Sequence, residues 1–174
     1  PLTQRLCKLE SGDTVYVAPR PSGFLVLSEV PDGTNLWLIS TGTGLGPFLS
    51  ILKSDVPWQR FRQVVLVHAV RYPGELTYRD SIARLLAERG ERMSVVSLVS
   101  REQQSGTLHG RIPAAIEDGR LEATAGVALS AETSRVMLCG NPGMVTDTTE
   151  VLKRRGMKKH RRREPGHITV ENYW

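Results

Sequence analysis

The 174-residue sequence predicts an α/β fold, in which a five-stranded parallel sheet with flanking helices follows a remnant of an antiparallel β-barrel. Two observations support this prediction. After residue 32, short continuous apolar runs alternate with helix-like stretches, a pattern typical of strands that are buried on both faces and connected by helices. Before residue 32, two short β-like runs are separated by prolines and a glycine, which indicates antiparallel strands joined by turns.

The boundary between the two parts is placed at the turn Pro31–Gly33. Residues 14–18 and 24–27 are predicted strands, and residues 1–31 are therefore assigned to the barrel remnant. Residues 32–174 are assigned to the α/β domain. The chain begins without methionine and in the middle of a barrel-like pattern, so an N-terminally truncated protein is expected.

The α/β part is predicted to alternate between strands and helices. Each predicted strand is a run rich in apolar residues, and the predicted helices carry apolar residues at helical spacing or a proline in the first turn. The predicted strands with clear bounds are Leu36–Ser40, Val64–His68, Met93–Val99 and Arg135–Cys139, and the predicted helices are Gly46–Lys53, Tyr78–Arg89, Ile112–Glu117 and Pro142–Arg154. Parallel sheets of this kind bind ligands at the carboxyl ends of their strands.

Composition excludes several classes of protein. The net charge of +5 and the hydrophobic fraction of 40% are ordinary for a globular domain. Cys7 and Cys139 are far apart and no Cys/His cluster accompanies them, so no metal site is predicted. No apolar run approaches the roughly 20 residues of a membrane span, so no membrane partner is expected. Two isolated cysteines without a secretory signal indicate the cytoplasm, and a monomer is expected.

The first motif follows the first apolar run and reads STGTGLGPF over Ser40–Phe48. Glycines allow a backbone to approach an anion closely, and the following helix would present its first N–H groups to a pyrophosphate. The motif therefore favours dinucleotide binding, with a simple tight turn as the alternative. The residues assigned to the nucleotide are Thr41, Gly42, Thr43, Gly44, Gly46 and Pro47.

A second turn of the same kind, CGNPGM, begins at Cys139 after a later apolar run. Gly140, Asn141 and Pro142 repeat the order of strand, glycine turn and proline-started helix. Two such turns at one sheet edge would flank a single extended ligand. A buried cysteine is more often a small core residue, and this alternative stays open for Cys139.

Three arginines follow predicted strands or turns: Arg71, Arg101 and Arg111. The guanidinium group suits multidentate binding of a phosphate. A dinucleotide site that selects NADP needs cations for the 2′-phosphate, where an NAD site would use an acidic residue. The alternative for any single arginine is a solvated surface charge. For Arg101 and Arg111 together, phosphate binding is favoured.

Two features near the C-terminus are also assigned. The basic run Lys158–Arg163 is either a solvated loop or a docking patch for an acidic carrier protein. Nucleic-acid binding is not expected, because no aromatic residues interrupt this run. The chain ends on Tyr173 and Trp174, whose rings would stack on a flavin or an adenine or simply occupy an apolar groove.

Together these motifs resemble bacterial ferredoxin/flavodoxin–NADP+ reductase, in the subgroup whose chains end in Tyr-Trp. The resemblance runs from about Leu2 to Trp174. It rests on STGTGLGPFLS from Ser40, HAVRY from His68, SRE from Ser100, GRIP from Gly110, MLCGNPGMV from Met137 and the terminal VENYW.

The resemblance implies an FAD-binding barrel followed by an NADP(H)-binding α/β domain. Thr41–Pro47 would hold the NADP pyrophosphate and border the nicotinamide. The three arginines match positions that bind the 2′-phosphate. Cys139 matches a catalytic cysteine near the nicotinamide, where hydride passes to the flavin.

The resemblance also implies contacts with FAD. Glu171 matches a glutamate implicated in proton or electron transfer. Tyr173 matches the aromatic residue that faces the isoalloxazine and that yields its place to the nicotinamide. Trp174 matches the residue that stacks on the FAD adenine, and Thr3 matches the end of the FAD-pyrophosphate loop.

The expected function is hydride transfer between NADPH and FAD, coupled to one-electron transfer with ferredoxin or flavodoxin. The chain departs from the family pattern because the Arg-x-Tyr-Ser motif that holds the flavin is absent, as is most of the barrel. The alternative is therefore a non-catalytic NADP-binding fragment without a functional FAD site.

Overall fold

A computed structural model describes residues 2–20 and 23–172, which form a parallel sheet with helices on both faces. The strands pair in the order β4-β3-β2-β1-β5-β6, and every pairing is parallel. Their bounds are β1 Asn35–Thr41, β2 Gln63–Val70, β3 Met93–Val99, β4 Leu108–His109, β5 Ser134–Gly140 and β6 Ile168–Asn172. The predicted parallel α/β fold is confirmed. The described sheet has six strands rather than five, because β4 is only two residues long and leaves no apolar pattern.

The helices that were predicted are present, with bounds within one residue of those expected. Three further helices, α1, α3 and α6, were missed because five or six residues are too few to display a helical period. The bounds are α1 Leu2–Leu6, α2 Leu45–Lys53, α3 Val56–Arg60, α4 Arg79–Arg89, α5 Ile112–Glu117, α6 Arg120–Ala125 and α7 Pro142–Arg154.

The sheet separates two apolar cores, and β1 contributes to both. Leu36 and Leu38 pack on one face with α2, α3 and α4, whereas Trp37 and Ile39 pack on the other face with α5, α6 and α7. All four side chains are fully buried. This explains why the strand is continuously apolar rather than alternating.

The strand order reverses at β1, which lies between β2 and β5. Chain segments that leave the carboxyl ends of β1 and β5 therefore run to helices on opposite faces of the sheet, α2 and α7. A crevice forms at such a reversal, and it is where ligands bind in open α/β sheets.

The strands predicted before β1 are not found. Residues 14–18 form no regular secondary structure, and residues 24–26 form no strand and lead into a short 3₁₀ turn that begins at Leu27. Residues 4–20 are all exposed, with Tyr16 exposed at 98%. A strand needs partners for its N–H and C=O groups, and none of the described strands lies beside this segment. The described residues before β1 therefore form no β-barrel.

Two arginines of the α/β part hold the segment that leads into β1. Arg60 of α3 donates to the carbonyl oxygens of Leu27 and Val30, each at 2.6 Å. Arg162 of the basic run forms a bidentate ion pair with Glu29, at 3.0 and 3.2 Å. Arg162 is therefore not simply solvated, and it attaches the basic run to this segment.

Candidate functional site

A cleft of about 950 Å³ lies at the carboxyl edge of the sheet, beside the reversal at β1. Its walls are the segments that follow β1, β2, β3, β4 and β5. The structure therefore brings together residues that are up to about 100 positions apart in sequence. The predicted site residues that line the cleft are Thr41, Gly42, Thr43, Gly46, Arg71, Arg101, Arg111 and Asn141.

The first glycine turn forms the floor of the cleft and leads into α2. Gly44 is buried against the backbone of the second turn, where an added Cβ would lie 2.4 Å from the Cys139 carbonyl oxygen. Gly46 lines the cleft, and no atom lies within 4 Å of the position its Cβ would take. Pro47 lies in the first turn of α2, as predicted. The two glycines thus serve different purposes, one for packing and one for access.

The second turn is locked onto the first. Gly140 has a φ of +135°, and a Cβ there would lie 2.2 Å from the Thr41 hydroxyl oxygen. The Asn141 N–H donates to the same hydroxyl at 2.9 Å. The Asn141 side chain accepts from the first N–H groups of α7, which begins at Pro142. Thr41 and Asn141 therefore fix the two turns against each other.

Cys139 and Glu171 are neighbours in the sheet. Cys139 of β5 is paired in register with Ser40 of β1 on one side and with Glu171 of β6 on the other. The thiol is fully buried beneath the meeting point of the turns, whereas Glu171 is partly exposed. Neither residue is among those that line the cleft, and their catalytic roles stay predictions.

Three predicted contacts with FAD are not described by the structure. Tyr173 and Trp174 lie outside the described residues. Thr3 lies in α1, but its side chain is not described.

The three arginines surround one end of the cleft. Arg71 follows β2, Arg101 follows β3, and Arg111 is the N-cap residue of α5. All three side chains are exposed, and none forms an ion pair within residues 2–20 and 23–172. The Arg101 N–H donates to the Arg71 carbonyl oxygen at 3.0 Å, which ties the two loops together. The cleft therefore has a strongly cationic end opposite the glycine turns.

The loop that carries Arg71 is braced by side chains that the sequence analysis did not identify. The Glu75 carboxylate accepts from the N–H groups of Arg71 and Tyr72 at 2.9 and 3.1 Å. The Arg79 guanidinium donates to two carbonyl oxygens of the same loop, each at 3.1 Å. A glutamate or an arginine in a polar loop does not predict these hydrogen bonds, because every residue offers the backbone groups to which they bind.

His68, next to the first glycine turn, is a further residue that the sequence analysis did not identify. Its side chain is only 2% exposed, and it is paired in register with Ser40. Burial lowers the pKa of His68, and the backbone of the nearby Gly42 offsets part of this effect. The ring is therefore neutral at pH 7, beside the first glycine turn. The imidazole Nε2 has no hydrogen-bond partner in the described part of the chain.

Other expected features can be placed on the structure. The basic run forms a tight turn in which Arg161 and Glu164 exchange backbone hydrogen bonds at 3.0 and 2.9 Å. The Arg162 guanidinium also lies 4.5 Å from the centre of the Phe24 ring. No described helix is long and apolar enough to cross a membrane. Among the described residues, no group of three or more His, Cys, Asp or Glu side chains could hold a metal ion.

Comparison with known sequences finds one family model and several named relatives. Residues 38–150 match the family described as the oxidoreductase NAD-binding domain. A flavodoxin/ferredoxin–NADP reductase of Escherichia coli K12 is 49% identical over 99% of this chain and 70% of its own length. A reductase of the same name from Buchnera aphidicola (Schizaphis graminum) is 42% identical over 99% of this chain and 68% of its own length.

A solved structure agrees with the sequence relatives. A ferredoxin NADP+ reductase from Neisseria gonorrhoeae, determined with bound FAD and NADP, superposes with a TM-score of 0.91. It is 37% identical, and the match covers all of this chain and 70% of the gonococcal chain. The chain therefore belongs to the flavodoxin/ferredoxin–NADP reductase family of FAD-dependent oxidoreductases.

Proposed function

We propose that this chain binds NADP(H) in the cleft and presents the nicotinamide for hydride transfer with FAD, in a reductase that serves ferredoxin or flavodoxin. One observation carries the proposal. Three exposed, unpaired arginines stand at one end of a cleft whose floor consists of two interlocked glycine turns. This arrangement fits a ligand with a phosphate at one end and a pyrophosphate in its middle.

The described residues fit the nucleotide. The pyrophosphate would lie against the first N–H groups of α2, where Gly46 leaves open space in place of a side chain. The 2′-phosphate would lie among Arg71, Arg101 and Arg111, because these cations form no ion pair with any described residue that would compete for them. The nicotinamide end would then reach the opposite part of the floor.

We propose that Cys139 and Glu171 receive the nicotinamide. The role of Cys139 beside the ring rests on the resemblance, because the residue is fully buried and does not line the cleft. The Glu171 carboxylate would hold or move a proton beside it, since these residues are paired across β5 and β6. FAD, when bound, accepts the hydride as an electron pair and releases the electrons singly to a carrier. The proposed roles of Tyr173, Trp174 and Thr3 toward FAD rest on resemblance alone.

The described residues before β1 do not form a comparable site for FAD. Residues 4–20 are exposed throughout and form no strand. This observation favours a second candidate function, a pyridine-nucleotide-binding module that does not hold flavin by itself. For both candidate functions we propose a domain boundary between residues 31 and 32. Leu25, Leu27 and Val30 are buried against the core of the second part and would fasten the first part to it.

The electron carrier would dock on the basic run. Lys158, Lys159, Arg161 and Arg163 are exposed and make no ion pair with any described residue, so they are available to an acidic protein. Arg162 is excluded from this role, because it is paired with Glu29.

Calorimetric titration with NADP+ and NAD+ tests the nucleotide site. We expect Arg101→Ala and Arg111→Ala each to weaken NADP+ binding by roughly 10- to 150-fold, since a hydrogen bond to a charged group contributes about 1.5 to 3 kcal/mol. Binding of NAD+ should change little. The matched control is Arg84→Ala, which removes an exposed arginine of α4 that does not line the cleft. Equal losses in all three variants would contradict the site.

An absorbance spectrum decides between the two candidate functions. The chain is mixed with FAD, desalted, and compared with free flavin, and dye reduction by NADPH is then measured. Retained flavin together with dye reduction supports the reductase. Tight NADP+ binding by a colourless protein supports the nucleotide-binding module.

A further inference from the structure

Tyr78 has an unusual backbone conformation at the entrance to α4. Its φ of 58° and ψ of 25° lie in the left-handed region, and no other non-glycine residue of the described chain has a positive φ. This conformation costs about 1 kcal/mol or more for a residue with a Cβ. The braces described above, Glu75 and Arg79, bind backbone groups of residues 71–76, which come just before the strained position.

Helix capping does not explain why a tyrosine is present. The Tyr78 side chain makes no capping hydrogen bond to α4. Asparagine or glycine would adopt the left-handed conformation at lower cost and cap the helix at least as well. The aromatic ring therefore needs another explanation.

The cleft supplies one. The Tyr78 side chain is 60% exposed and lines the cleft together with Arg71, Arg101 and Arg111. It is the one aromatic residue among the described residues that line this cleft. The neighbouring Tyr72 is 48% exposed but does not line it.

We propose that Tyr78 stacks on the adenine base of the bound nucleotide. This inference rests on the proposed function and specifies how the same site recognises its ligand. In NADP(H) the adenine and the 2′-phosphate are attached to the same ribose, so a surface for the base must lie beside the cations that bind the phosphate. The loop of residues 71–79 provides both, with Arg71 at one end and Tyr78 near the other. The hydrogen bonds of Glu75 and Arg79 hold the backbone of this loop before the ligand arrives, which reduces the entropy lost on binding.

The test uses Tyr78→Asn, which tolerates the left-handed backbone and removes the ring, and Tyr78→Phe, which keeps the ring. NADP+ affinity is measured by calorimetry at about 50 mM and about 500 mM NaCl. We expect Tyr78→Asn to weaken binding by roughly 5- to 150-fold at both salt concentrations, since base–aromatic stacking is insensitive to screening. Tyr78→Phe should stay within about 2-fold of the unmodified chain. Tyr72→Asn is the matched control and should bind normally.

The same titrations separate this inference from the proposed function. The loss of affinity in Arg101→Ala should be larger at low salt than at high salt, because the contribution of this arginine is electrostatic. If Arg101→Ala weakens binding and Tyr78→Asn does not, the stacking inference is overturned and the nucleotide site stands. If neither variant changes NADP+ binding, the proposed site itself is wrong.

A measurement on the unmodified chain guards against a variant that fails to fold. Adenosine 2′-phosphate is added, and the ultraviolet difference spectrum is recorded. Stacking predicts a loss of adenine absorbance on binding, and binding without that loss overturns the inference.

Discussion

Replacing Gly44 with alanine should destabilise the protein through a single steric contact. Gly44 has a φ of −59° and a ψ of −11°, which alanine adopts readily, so the backbone conformation adds no cost. The new Cβ would lie 2.4 Å from the Cys139 carbonyl oxygen and 2.7 Å from its carbonyl carbon. Ordinary contacts begin at 3.4 Å, so the two turns must separate by about 1 Å.

The magnitude follows from the atoms involved. Overpacking in a rigid site costs about 1 to 3 kcal/mol, and the upper part of this range applies because both partners are backbone atoms that cannot rotate away. For a chain of this length each kcal/mol lowers the melting temperature by about 2 to 4 °C, so we expect a decrease of roughly 5 to 12 °C. Urea unfolding followed by tryptophan fluorescence and thermal unfolding by circular dichroism both measure this change.

Gly46→Ala is the matched control within the same motif. Its Cβ would meet no atom within 4 Å, so stability should stay within about 0.5 kcal/mol of the original value or rise slightly. The added methyl group would enter the cleft, however, and NADP+ affinity should fall about 10-fold or more. If Gly44→Ala is as stable as the unmodified chain, or if Gly46→Ala is the less stable of the two, the described packing of the turns is refuted.

Three further predictions concern other parts of the structure. Asn141→Ala removes the cap of α7 and should cost about 1 kcal/mol in urea unfolding, whereas Asn141→Asp should restore most of it. Arg60→Met removes the donors to the carbonyl oxygens of Leu27 and Val30. Limited proteolysis should then cleave this segment faster while the sheet stays protected. Unchanged cleavage would contradict the anchoring role of Arg60. Burial lowers the pKa of His68 below its ordinary value of 6.5. As the pH falls below 6.5, the unfolded chain therefore binds a proton at this residue before the folded chain does. The free energy of unfolding should then decrease by at most about 1.4 kcal/mol per pH unit. His68→Asn should flatten this decline, and an unchanged pH profile would show that the ring is not buried in neutral form.

The sequence predicted the α/β fold and most of the cleft for physical reasons. A strand buried on both faces has to be apolar throughout, which makes Leu36–Ser40 and Val64–His68 recognisable without any partner. Parallel strands end at the same edge, so the positions of Thr41, Arg71 and Arg101 after successive strands already placed them together. Pro142 fixed the start of α7 because proline is tolerated in the first turn of a helix.

Other parts depend on contacts that a linear pattern does not contain. Residues 14–18 have the composition of a strand, but strand formation requires a neighbour that the described chain does not supply. His68 lies within an apolar run, and only its pairing with Ser40 identifies it as a buried polar residue beside the site. The backbone of Tyr78 is left-handed, and a tyrosine in the sequence by itself predicts no such conformation.

The interlocked turns have a consequence for how the protein folds. The cleft exists only when β1 and β5, whose partner residues are about 100 positions apart, have already paired. A piece of the chain that lacks either strand lacks part of the cleft, so the proposed nucleotide binding would report on this pairing. A ligand that binds only this state stabilises the whole domain, by about 2.7 kcal/mol when its concentration is 100 times the Kd. The proposed nucleotide site is thus coupled to the strand pairing with the largest sequence separation in the described sheet, and bound nucleotide would favour states in which β1 and β5 are paired.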